Sequence, residues 1–380
     1  MVYEFVIVGA GAYGCAVAYH LAKNGHSVRV LEAGEIATEA SGGGGKRGVR
    51  GNRRDIRELP LISEAYQLWP TLAEELGAPT GYVRTGGLNL IEKESVGMRG
   101  GMVAAEAIRA TQNELGVPTE FWTAEDVREK LPQTSTSIRG ALYAPLDGVA
   151  GHQDTTLAYA AAARREGAEI TEHDPVLHIF DRGNGACHGV EAGRSGLIRA
   201  SQAILIASNA SAGSLATENF GCRLPTWTAY PQAVWLRPEN EFQCPYLIGH
   251  DNRTLSVKVD SEGVIQLSGG WRGRLDPLTG SGTPVEDNVD GSIRELEATF
   301  PGLGSLTRLG VDTSRAESGS VDQLPIIDTI PGTQGVVVAT GWSGHGWALL
   351  PAVSALIAEF LATGTRPRQL EHTAINRLRG

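Results

Sequence analysis

Cysteine is scarce in this sequence, and its scarcity excludes two classes of protein. The 380 residues include four cysteines, Cys15, Cys187, Cys222 and Cys244, and no two of them have the CxxC spacing of a zinc or redox site. Cysteines scattered in this way also do not form the framework of a small disulfide-rich domain. We therefore expect no bound metal and no disulfide framework.

Long apolar runs are also few. The longest, LLPAVSALIAEFLA, contains Pro351, Ser354 and Glu359 and is too short to span a bilayer. The chain opens MVYEFVIVGAGAYG, without a positively charged leader before an apolar stretch. These features predict a cytoplasmic protein that has no membrane as a partner.

Basic residues are outnumbered, with 33 Lys and Arg against 43 Asp and Glu, a net charge of -10 and a pI near 5.5. Nucleic acids and anionic membranes both require a broad basic surface, so neither is predicted as a partner. One stretch is an exception. Residues 41–54, SGGGGKRGVRGNRR, hold four consecutive glycines and five cationic side chains, and we interpret this basic loop as a local device.

The N-terminus has the pattern of a dinucleotide-binding unit. The apolar run EFVIV predicts a strand, GAGAYG follows with Gly9, Gly11 and Gly14, and CAVAYHLAKNG predicts a helix. A second strand, SVRVLEAG, carries Glu32 at its end. The glycines permit a tight turn, a close approach to a pyrophosphate and close packing of helix on strand, while Glu32 is suited to bind a ribose diol.

Both a nicotinamide dinucleotide and FAD fit this unit, and the far end of the chain favours FAD. Residues 335–361, GVVVATGWSGHGWALLPAVSALIAEFL, predict a second strand, a glycine turn from Gly341 through Gly344 to Gly346, and a long apolar helix. A flavoprotein uses a second helix N-terminus near the electron-rich edge of its reduced flavin. A nicotinamide dehydrogenase of two domains has no obvious use for it.

Several motifs together resemble a known family. GAGAYG, SGGGGKRGVR, GALYAPLDGVAGHQDTTLAYAAAARREGAEI, SRAESGSVDQLPIID and ATGWSGHGWALLPAV occur in the order found in the D-amino-acid oxidase superfamily of FAD enzymes. Within that superfamily the chain is most similar to the branch of monomeric sarcosine oxidase and glycine oxidase. The resemblance covers most of the sequence.

The resemblance implies an α/β fold, α+β overall, with a Rossmann-like FAD-binding domain assembled from residues 1–80, 140–215 and 310–380. A discontinuous substrate domain, residues 81–139 and 216–309, is then expected to be built on a mixed or antiparallel β-sheet. The sequence agrees, since alternating apolar residues between 224 and 270 predict a sheet with one covered face. Residues 123–131 and 292–300 predict surface helices, capped by Thr123 and Ser292.

The implied reaction oxidises the C–N bond of an amino acid or N-alkyl amino acid to an imine, with O₂ as the acceptor and H₂O₂ as a product. Two alternatives remain open. The protein could be a dehydrogenase of an amino acid or 2-hydroxy acid that uses another electron acceptor. It could also be the flavin subunit of a hetero-oligomeric amine dehydrogenase.

The basic loop carries the residues that the resemblance places beside the flavin. Ser41 begins the loop, Arg47 is expected close to the flavin ring, and Arg50 is expected to bind the substrate carboxylate. A guanidinium suits that role because it remains charged and offers a planar bidentate partner. The alternative is that these arginines are solvated loop charges.

Arg315 is a second candidate for the substrate carboxylate, in the position where glycine oxidases have an arginine. It is equally compatible with a salt bridge between domains. Monomeric sarcosine oxidases instead have a cysteine there that bonds the flavin, and its absence here implies non-covalent FAD. The lysine that sarcosine oxidases carry after the SGHG turn is replaced by Ala348, which makes sarcosine itself a poorer candidate substrate.

Two further residues complete the expected site. Lys258, in LSVKVD, corresponds to a lysine beneath the flavin that promotes reaction with O₂, with Lys46 as the alternative cation and an exposed strand lysine as the competing interpretation. His345 is expected to contact flavin or substrate, or else to be structural.

Overall fold

The computed structural model describes residues 2–97, 100–181 and 188–378. Its strands are, in chain order, β1 Val2–Val8, β2 Val28–Leu31, β3 Lys46–Val49, β4 Gly87–Ile91, β5 Glu120–Thr123, β6 Gly140–Ala144, β7 Gly148–Gly151, β8 Glu169–Thr171, β9 Val176–Phe180, β10 His188–Ala192, β11 Gly196–Ile206, β12 Thr226–Ala229, β13 Ala233–Pro238, β14 Leu247–His250, β15 Ser256–Val259, β16 Ile265–Ser268, β17 Arg274–Leu275, β18 Gly282–Thr283, β19 Leu306–Asp312, β20 Glu317–Ser320, β21 Ile326–Thr329 and β22 Val336–Thr340. Its α-helices are α1 Ala12–Lys23, α2 Leu59–Leu68, α3 Leu72–Leu76, α4 Met102–Glu114, α5 Ala124–Lys130, α6 His152–Arg165, α7 Ala212–Phe220, α8 Glu286–Thr299 and α9 Gly346–Thr363.

The first sheet has β1 near its centre, with β2 and β11 as parallel neighbours. β8 continues the parallel order beyond β2, β22 continues it beyond β11, and β21 lies antiparallel at the edge. Phe5, Val6 and Ile7 are fully buried, as expected for a strand that is covered on both faces. This order brings the carboxyl ends of β1, β2, β11 and β22 to one edge, where ligands bind in doubly wound folds.

Helices cover both faces of this sheet. α1 packs against α6 and α9, and their apolar residues share one core with the sheet, while α7 contributes to a second core that includes the other face. α9 is long and apolar enough, by composition, to cross a membrane, and 72% of its apolar window is buried inside the protein. Burial on this scale is what a helix that is apolar on all sides needs in a protein core.

The second sheet has the order β19-β13-β16-β15-β14-β4-β6-β5. β14 and β4 are parallel, and the other neighbouring pairs are antiparallel. Its strands come from two stretches of the chain, 87–144 and 233–312, and α5 and α8 close a separate core over it. The mixed, discontinuous sheet expected from the sequence is therefore confirmed.

Most of the predicted helices and strands are present, with one error at a helix start. Thr123 caps α5, its hydroxyl oxygen accepting a hydrogen bond from the Asp126 N–H at 3.2 Å. The prediction for Ser292 was wrong, because α8 begins at Glu286 and Ser292 donates to the Val289 carbonyl inside the helix, at 2.7 Å. An acidic first turn at Glu286 stabilises the earlier start.

Three of the four cysteines, Cys15, Cys222 and Cys244, are buried, and Cys187 lies outside the described residues. Within the part of the chain that the structure describes, no three His, Cys, Asp or Glu side chains are grouped closely enough to hold a metal ion.

Candidate active site

The first glycine turn has the geometry of an anion site. Gly9 has a φ of +102°, and a Cβ added at Gly14 would lie 1.9 Å from the Gly9 carbonyl oxygen, so both positions require glycine. Gly11 is the N-cap of α1 and provides no side-chain cap. Among the described residues, no neighbouring atom lies within 4 Å of the position that a Cβ at Gly11 would occupy. The first N–H groups of α1 therefore remain available to an anion.

Glu32 follows β2 and closes this turn from the side. Its Oε2 accepts a hydrogen bond from the Ala10 N–H at 2.7 Å, and its Oε1 accepts one from the Gly34 N–H at 2.9 Å. The carboxylate therefore stands beside the glycine turn, within reach of a ligand that enters along α1. Glu32 therefore lies beside the first glycine turn, as the sequence predicted. Its contact with a ribose stays a prediction.

The basic loop runs between the two sheets. Gly43 has a φ of +77°, and a Cβ there would lie 2.4 Å from the Trp235 ring on β13. Arg47 folds back over the loop, donating from Nη1 to the Ser41 carbonyl and from Nη2 to the Gly43 carbonyl at 2.6 Å. The four glycines thus let the backbone approach β13 closely and wrap around the Arg47 guanidinium.

Arg50 stands at the end of this loop, and the carboxylate that influences its pKa is that of Asp147. No hydrogen bond or ion pair of its guanidinium occurs among the described residues, and burial together with Arg54 lowers its pKa. A Cβ added at Gly249, on β14, would lie 2.9 Å from Arg50 Nη1 and 3.1 Å from Asn89 Oδ1. The guanidinium therefore reaches from the end of β3 onto the second sheet. A carboxylate ligand would strongly stabilise a guanidinium that is removed from water and makes no hydrogen bond to the protein.

Lys258 joins the same group of cations. It lies on β15, and burial, followed by the positive charges of Arg47 and Arg50, lowers its pKa to about 8. Lys46, the alternative cation, is exposed at the start of β3. The structure therefore brings Lys258, and not Lys46, together with the two arginines.

The second glycine turn lies beside the first one. Gly341 and Gly344 have φ of +72° and +77°, and the turn leads into α9. Trp342 stacks on Tyr13 of α1, with ring centroids 3.8 Å apart, and the Tyr13 hydroxyl donates to the Gly346 carbonyl at 2.8 Å. Trp347 instead packs against Trp69 and His152. The tryptophans therefore fix the turn against the helices.

His345 is the N-cap of α9 and lies next to the basic loop. Burial first, and then the positive charges of Arg54 and Arg50, hold its pKa well below the ordinary histidine range. The imidazole is therefore neutral at physiological pH and can either accept or donate a hydrogen bond. Its backbone carbonyl accepts a hydrogen bond from Arg54 Nη2 at 2.9 Å.

The geometry resembles that of an FAD enzyme, and comparison with known proteins agrees. Residues 4–360 match the family model described as DAO, FAD dependent oxidoreductase. The chain belongs to this family. It is therefore an FAD-dependent oxidoreductase, with two glycine turns at the ligand edge of its first sheet.

Three curated relatives of this DAO-family chain are each similar over nearly its whole length. A sarcosine oxidase subunit beta from Arthrobacter sp is 28% identical, over 95% of this chain and 87% of its own length. A glycine oxidase from Geobacillus kaustophilus is 26% identical, over 94% and 93%. A mitochondrial pyruvate dehydrogenase phosphatase regulatory subunit from Mus musculus is 26% identical over 95% of this chain, which corresponds to only 41% of that protein.

Solved structures share the DAO-family fold. The structure of L-proline dehydrogenase from P. horikoshii has a TM-score of 0.86, is 24% identical, and the match covers 99% of this chain and 97% of that one.

FAD fits the residues of this family member in three respects. The open space at Gly11 and the uncapped start of α1 suit a pyrophosphate. The second turn points the start of α9 toward the same edge. The carboxyl Oε1 of Glu317, beside Ser41 and the second turn, is buried without a hydrogen-bond partner of normal geometry in the described structure.

Arg315 is not part of the cation group. Its Nε donates to the Thr38 carbonyl at 3.2 Å, and its Nη2 forms a 3.2 Å ion pair with Glu39, with 38% of the side chain exposed. None of its described contacts involves Arg50 or Lys258. The ion pair joins two segments that are both assigned to the FAD-binding domain, so it is not the salt bridge between domains that was the alternative interpretation of Arg315.

Three buried residues beside this site were missed by sequence reasoning. Arg54 received no role of its own among the five cationic side chains of the basic loop, although it donates hydrogen bonds to the backbone carbonyls of both Arg50 and His345. Asp147 stands in an Asp-Gly pair that reads as an ordinary turn. Glu317 stands in ESGS, and the only available signal was a charged residue within an otherwise small, buried strand.

Proposed function

We propose that this FAD-dependent oxidoreductase oxidises the C–N bond of an amino acid or N-alkyl amino acid to an imine, which water hydrolyses. The observation that carries the proposal is the partly buried guanidinium of Arg50, which makes no hydrogen bond or ion pair with the described residues, although the Asp147 carboxylate lies near enough to raise its pKa. A substrate carboxylate would supply that counter-ion in a bidentate geometry. The relatives named sarcosine oxidase subunit beta and glycine oxidase support an amino acid as the substrate.

The protein's contribution to this reaction is binding and orientation. Bound FAD supplies the two-electron acceptor for the substrate C–H bond. Arg50 holds the carboxylate, so that the amine end of the substrate extends from a fixed point. The neutral imidazole of His345 is available as a hydrogen-bond partner for the substrate amine or for the cofactor, without adding a positive charge.

We assign the carboxylate to Arg50 rather than to Arg315. The Arg315 guanidinium is already bonded to Thr38 and Glu39 and is partly exposed, so its transfer to a ligand would break existing contacts. Ser41, Arg47 and Lys46 remain candidates for the flavin side of the site. For Lys46 this role is the weakest, because its side chain is exposed.

We propose that O₂ is the electron acceptor and that H₂O₂ is released. A fixed cation stabilises the superoxide anion that forms when one electron passes to O₂. Lys258 supports this role because it lies near Arg47 and Arg50 and remains cationic below about pH 8. A dehydrogenase using another acceptor is the alternative.

We propose non-covalent FAD bound by the two turns. Gly9, Gly11, Gly14 and Glu32 would contact the dinucleotide. The second turn, with Gly341, Gly344, His345 and Gly346, would contact the flavin. We expect the native protein to retain FAD. On denaturation the FAD should be released, and no peptide should carry a covalently attached flavin.

The division of the chain into domains also remains a proposal. An FAD-binding domain of residues 1–80, 140–215 and 310–380 is supported by the pairing of β1, β2, β8, β11 and β22 in one sheet. A substrate domain of residues 81–139 and 216–309 is supported by the second sheet. The pairing of β6 with β4 and β5 favours extending the first part of this substrate domain through Ala144. A cytoplasmic location is likewise a proposal.

A second candidate function is the flavin subunit of a hetero-oligomer. The relative named sarcosine oxidase subunit beta favours it. If the chain expressed alone is folded and FAD-loaded, yet is not reduced by any amine, this second candidate is preferred.

Anaerobic reduction of the bound flavin tests the proposal. N-methyl, cyclic and D-amino acids, together with the corresponding 2-hydroxy acids, would be added to the holoenzyme. Reduction by amino acids but not by hydroxy acids is expected. Charge reversal in Arg50→Glu should raise KM at least about 100-fold, because it removes the partner of a buried carboxylate. The exposed Lys130→Glu provides the control, and unchanged turnover and KM in Arg50→Glu would exclude the carboxylate role.

A further inference from the structure

Glu317 is a buried carboxyl group with one oxygen held by the basic loop and the other without a well-formed hydrogen bond. It is the first residue of β20 and is 9% exposed. Its Oε2 accepts a hydrogen bond from the Ser41 hydroxyl at 2.6 Å. Its Oε1 is buried and makes no hydrogen bond of normal geometry in the described structure, although the Gly344 N–H and the Asn209 side chain lie near enough to stabilise the charged carboxyl. A buried carboxyl oxygen without a well-formed hydrogen bond is costly, so a ligand that supplies one is expected.

The surroundings of Glu317 show which ligand could provide that hydrogen bond. Ser41 follows β2, Asn209 follows β11 and Gly344 follows β22, and all three help to stabilise the charged form of Glu317. β22, β11, β1 and β2 are parallel neighbours in this order. Glu317 therefore lies at the carboxyl edge of the first sheet, between the two glycine turns, where a dinucleotide binds in this type of fold.

The protonation of Glu317 follows from its neighbours. Burial is the largest influence and raises its pKa, while the Ser41 hydroxyl, the Gly344 N–H and the Asn209 side chain act in the opposite direction. Arg47 is the charged group that faces it, and Arg47 in turn is influenced by Asp312. The carboxyl group is therefore easier to protonate than a free glutamic acid, and a protonated carboxyl can donate a hydrogen bond from its free oxygen.

We propose that Glu317 is a direct hydrogen-bond partner of bound FAD, with its Oε1 presented to the cofactor and its Oε2 fixed by Ser41. In its protonated form the carboxyl donates to an acceptor on the cofactor. Ionisation of the carboxyl leaves two acceptor oxygens and removes that donor. FAD affinity is then coupled to the protonation of Glu317. This proposal depends on FAD binding and not on the amine substrate, so either can fail alone.

The test measures FAD retention rather than turnover. Full-length holoenzyme would be diluted and the released FAD followed by its fluorescence, from about pH 6 to about pH 9. Glu317→Gln keeps the shape and a hydrogen-bond donor, whereas Glu317→Ala removes both. Glu64→Gln is the control, because burial also raises the pKa of the Glu64 carboxyl, on α2, whereas none of the site residues influences it.

The wild-type dissociation constant for FAD should rise toward high pH, and that of Glu317→Gln should stay within about 3-fold of its value at low pH. Glu317→Ala should release FAD about 10-fold more readily at neutral pH. Equal retention in wild type and Glu317→Ala would overturn the proposal, as would an identical pH dependence in wild type and Glu317→Gln. If Glu317→Ala does not fold, the second comparison decides alone. Normal FAD retention in Glu317→Gln with a raised KM for amines, and no pH dependence in wild type, would move Glu317 to the substrate.

Discussion

The guanidinium of Arg54 donates a hydrogen bond from Nη2 to the carbonyl oxygen of His345, over 2.9 Å. Its Nε donates to the carbonyl of Arg50, also at 2.9 Å, and its Nη1 lies 3.6 Å from the buried carboxylate of Glu58. One side chain thus connects the basic loop to the start of α9. The relative position of Arg50 and His345 depends on this buried arginine.

Replacing Arg54 by methionine should disturb both stability and the site. Arg54→Met removes the two backbone hydrogen bonds and leaves Glu58 buried without its cation, so we expect a loss of about 3 kcal/mol in the free energy of unfolding. The double variant Arg54→Met/Glu58→Met should recover part of that loss, because no buried charge remains unpaired. Urea denaturation measures the stability of both variants. If Arg54→Met is as stable as wild type, Arg54 does not hold the basic loop to the start of α9.

Alanine at Gly14 and at Gly11 should have different consequences. A Cβ at Gly14 would meet the Gly9 carbonyl at 1.9 Å, so Gly14→Ala should destabilise the protein by about 3 kcal/mol even without FAD. Gly11→Ala has open space, so the apoprotein should keep its stability while FAD binding weakens. Thermal unfolding with and without added FAD separates the two effects. Equal loss of apoprotein stability in both variants would argue against a cofactor at Gly11.

Asp147 should make stability depend on pH. Its Oδ1 accepts hydrogen bonds from the Gly51 N–H at 2.6 Å and the Tyr66 hydroxyl at 2.5 Å, and burial raises its pKa to about 6. The folded state therefore binds this proton more tightly than the unfolded state, whose aspartate has a pKa near about 4. Stability from this group is complete below about pH 4 and is lost as the pH rises through about 6.

The variant Asp147→Asn should abolish that loss, because its side chain stays neutral and its oxygen can still accept both hydrogen bonds. The difference between unfolding free energies at about pH 4.5 and about pH 7 should shrink by up to about 2 kcal/mol. Asp55→Asn is the opposite case, since the bond to Arg57 lowers the pKa of Asp55. Its contribution should be lost on acidification. The same pH profile in Asp147→Asn and wild type would disprove the assignment.

Lys258 should control the reaction with O₂. Lys258→Met, which keeps the length but removes the charge, should slow reoxidation of the reduced enzyme on the order of 100-fold. The wild-type rate should fall as pH rises through about 8, because the cationic form is lost there. Stopped-flow mixing with O₂ measures the rate. Lys46→Met tests the alternative cation, and a larger effect from Lys46→Met would transfer the role to it.

The glycine turns could be predicted from sequence because their requirements are local. The positive φ of Gly9 and the clash at Gly14 arise from residues five apart, so the motif contains its own explanation. The strand, turn and helix at the C-terminal end of the chain are equally local. The resemblance supplied the order of the segments and the second sheet.

The remaining parts of the site depend on contacts between distant segments. The partners of Arg54, Arg315 and Glu317 lie 291, 277 and 276 residues away. Periodicity and composition carry no information about such pairs. Arg315 illustrates the limit, since the motif indicated a ligand contact, whereas its described contacts are with Thr38 and Glu39. Ser292 shows a smaller limit of the same kind. A serine inside a long helix has the same local sequence pattern as a serine that caps the start of a helix.

The stacking of Tyr13 on Trp342 also determines when the nucleotide site can be completed during synthesis. β1 pairs with β11, and α1 receives the Trp342 ring and the Gly346 carbonyl from the far end of the chain. The first glycine turn leaves the ribosome early, but its supporting helix gains these contacts only after almost all of the chain has been made. A nascent chain that stops before α9 therefore carries a complete nucleotide motif on an incompletely packed helix.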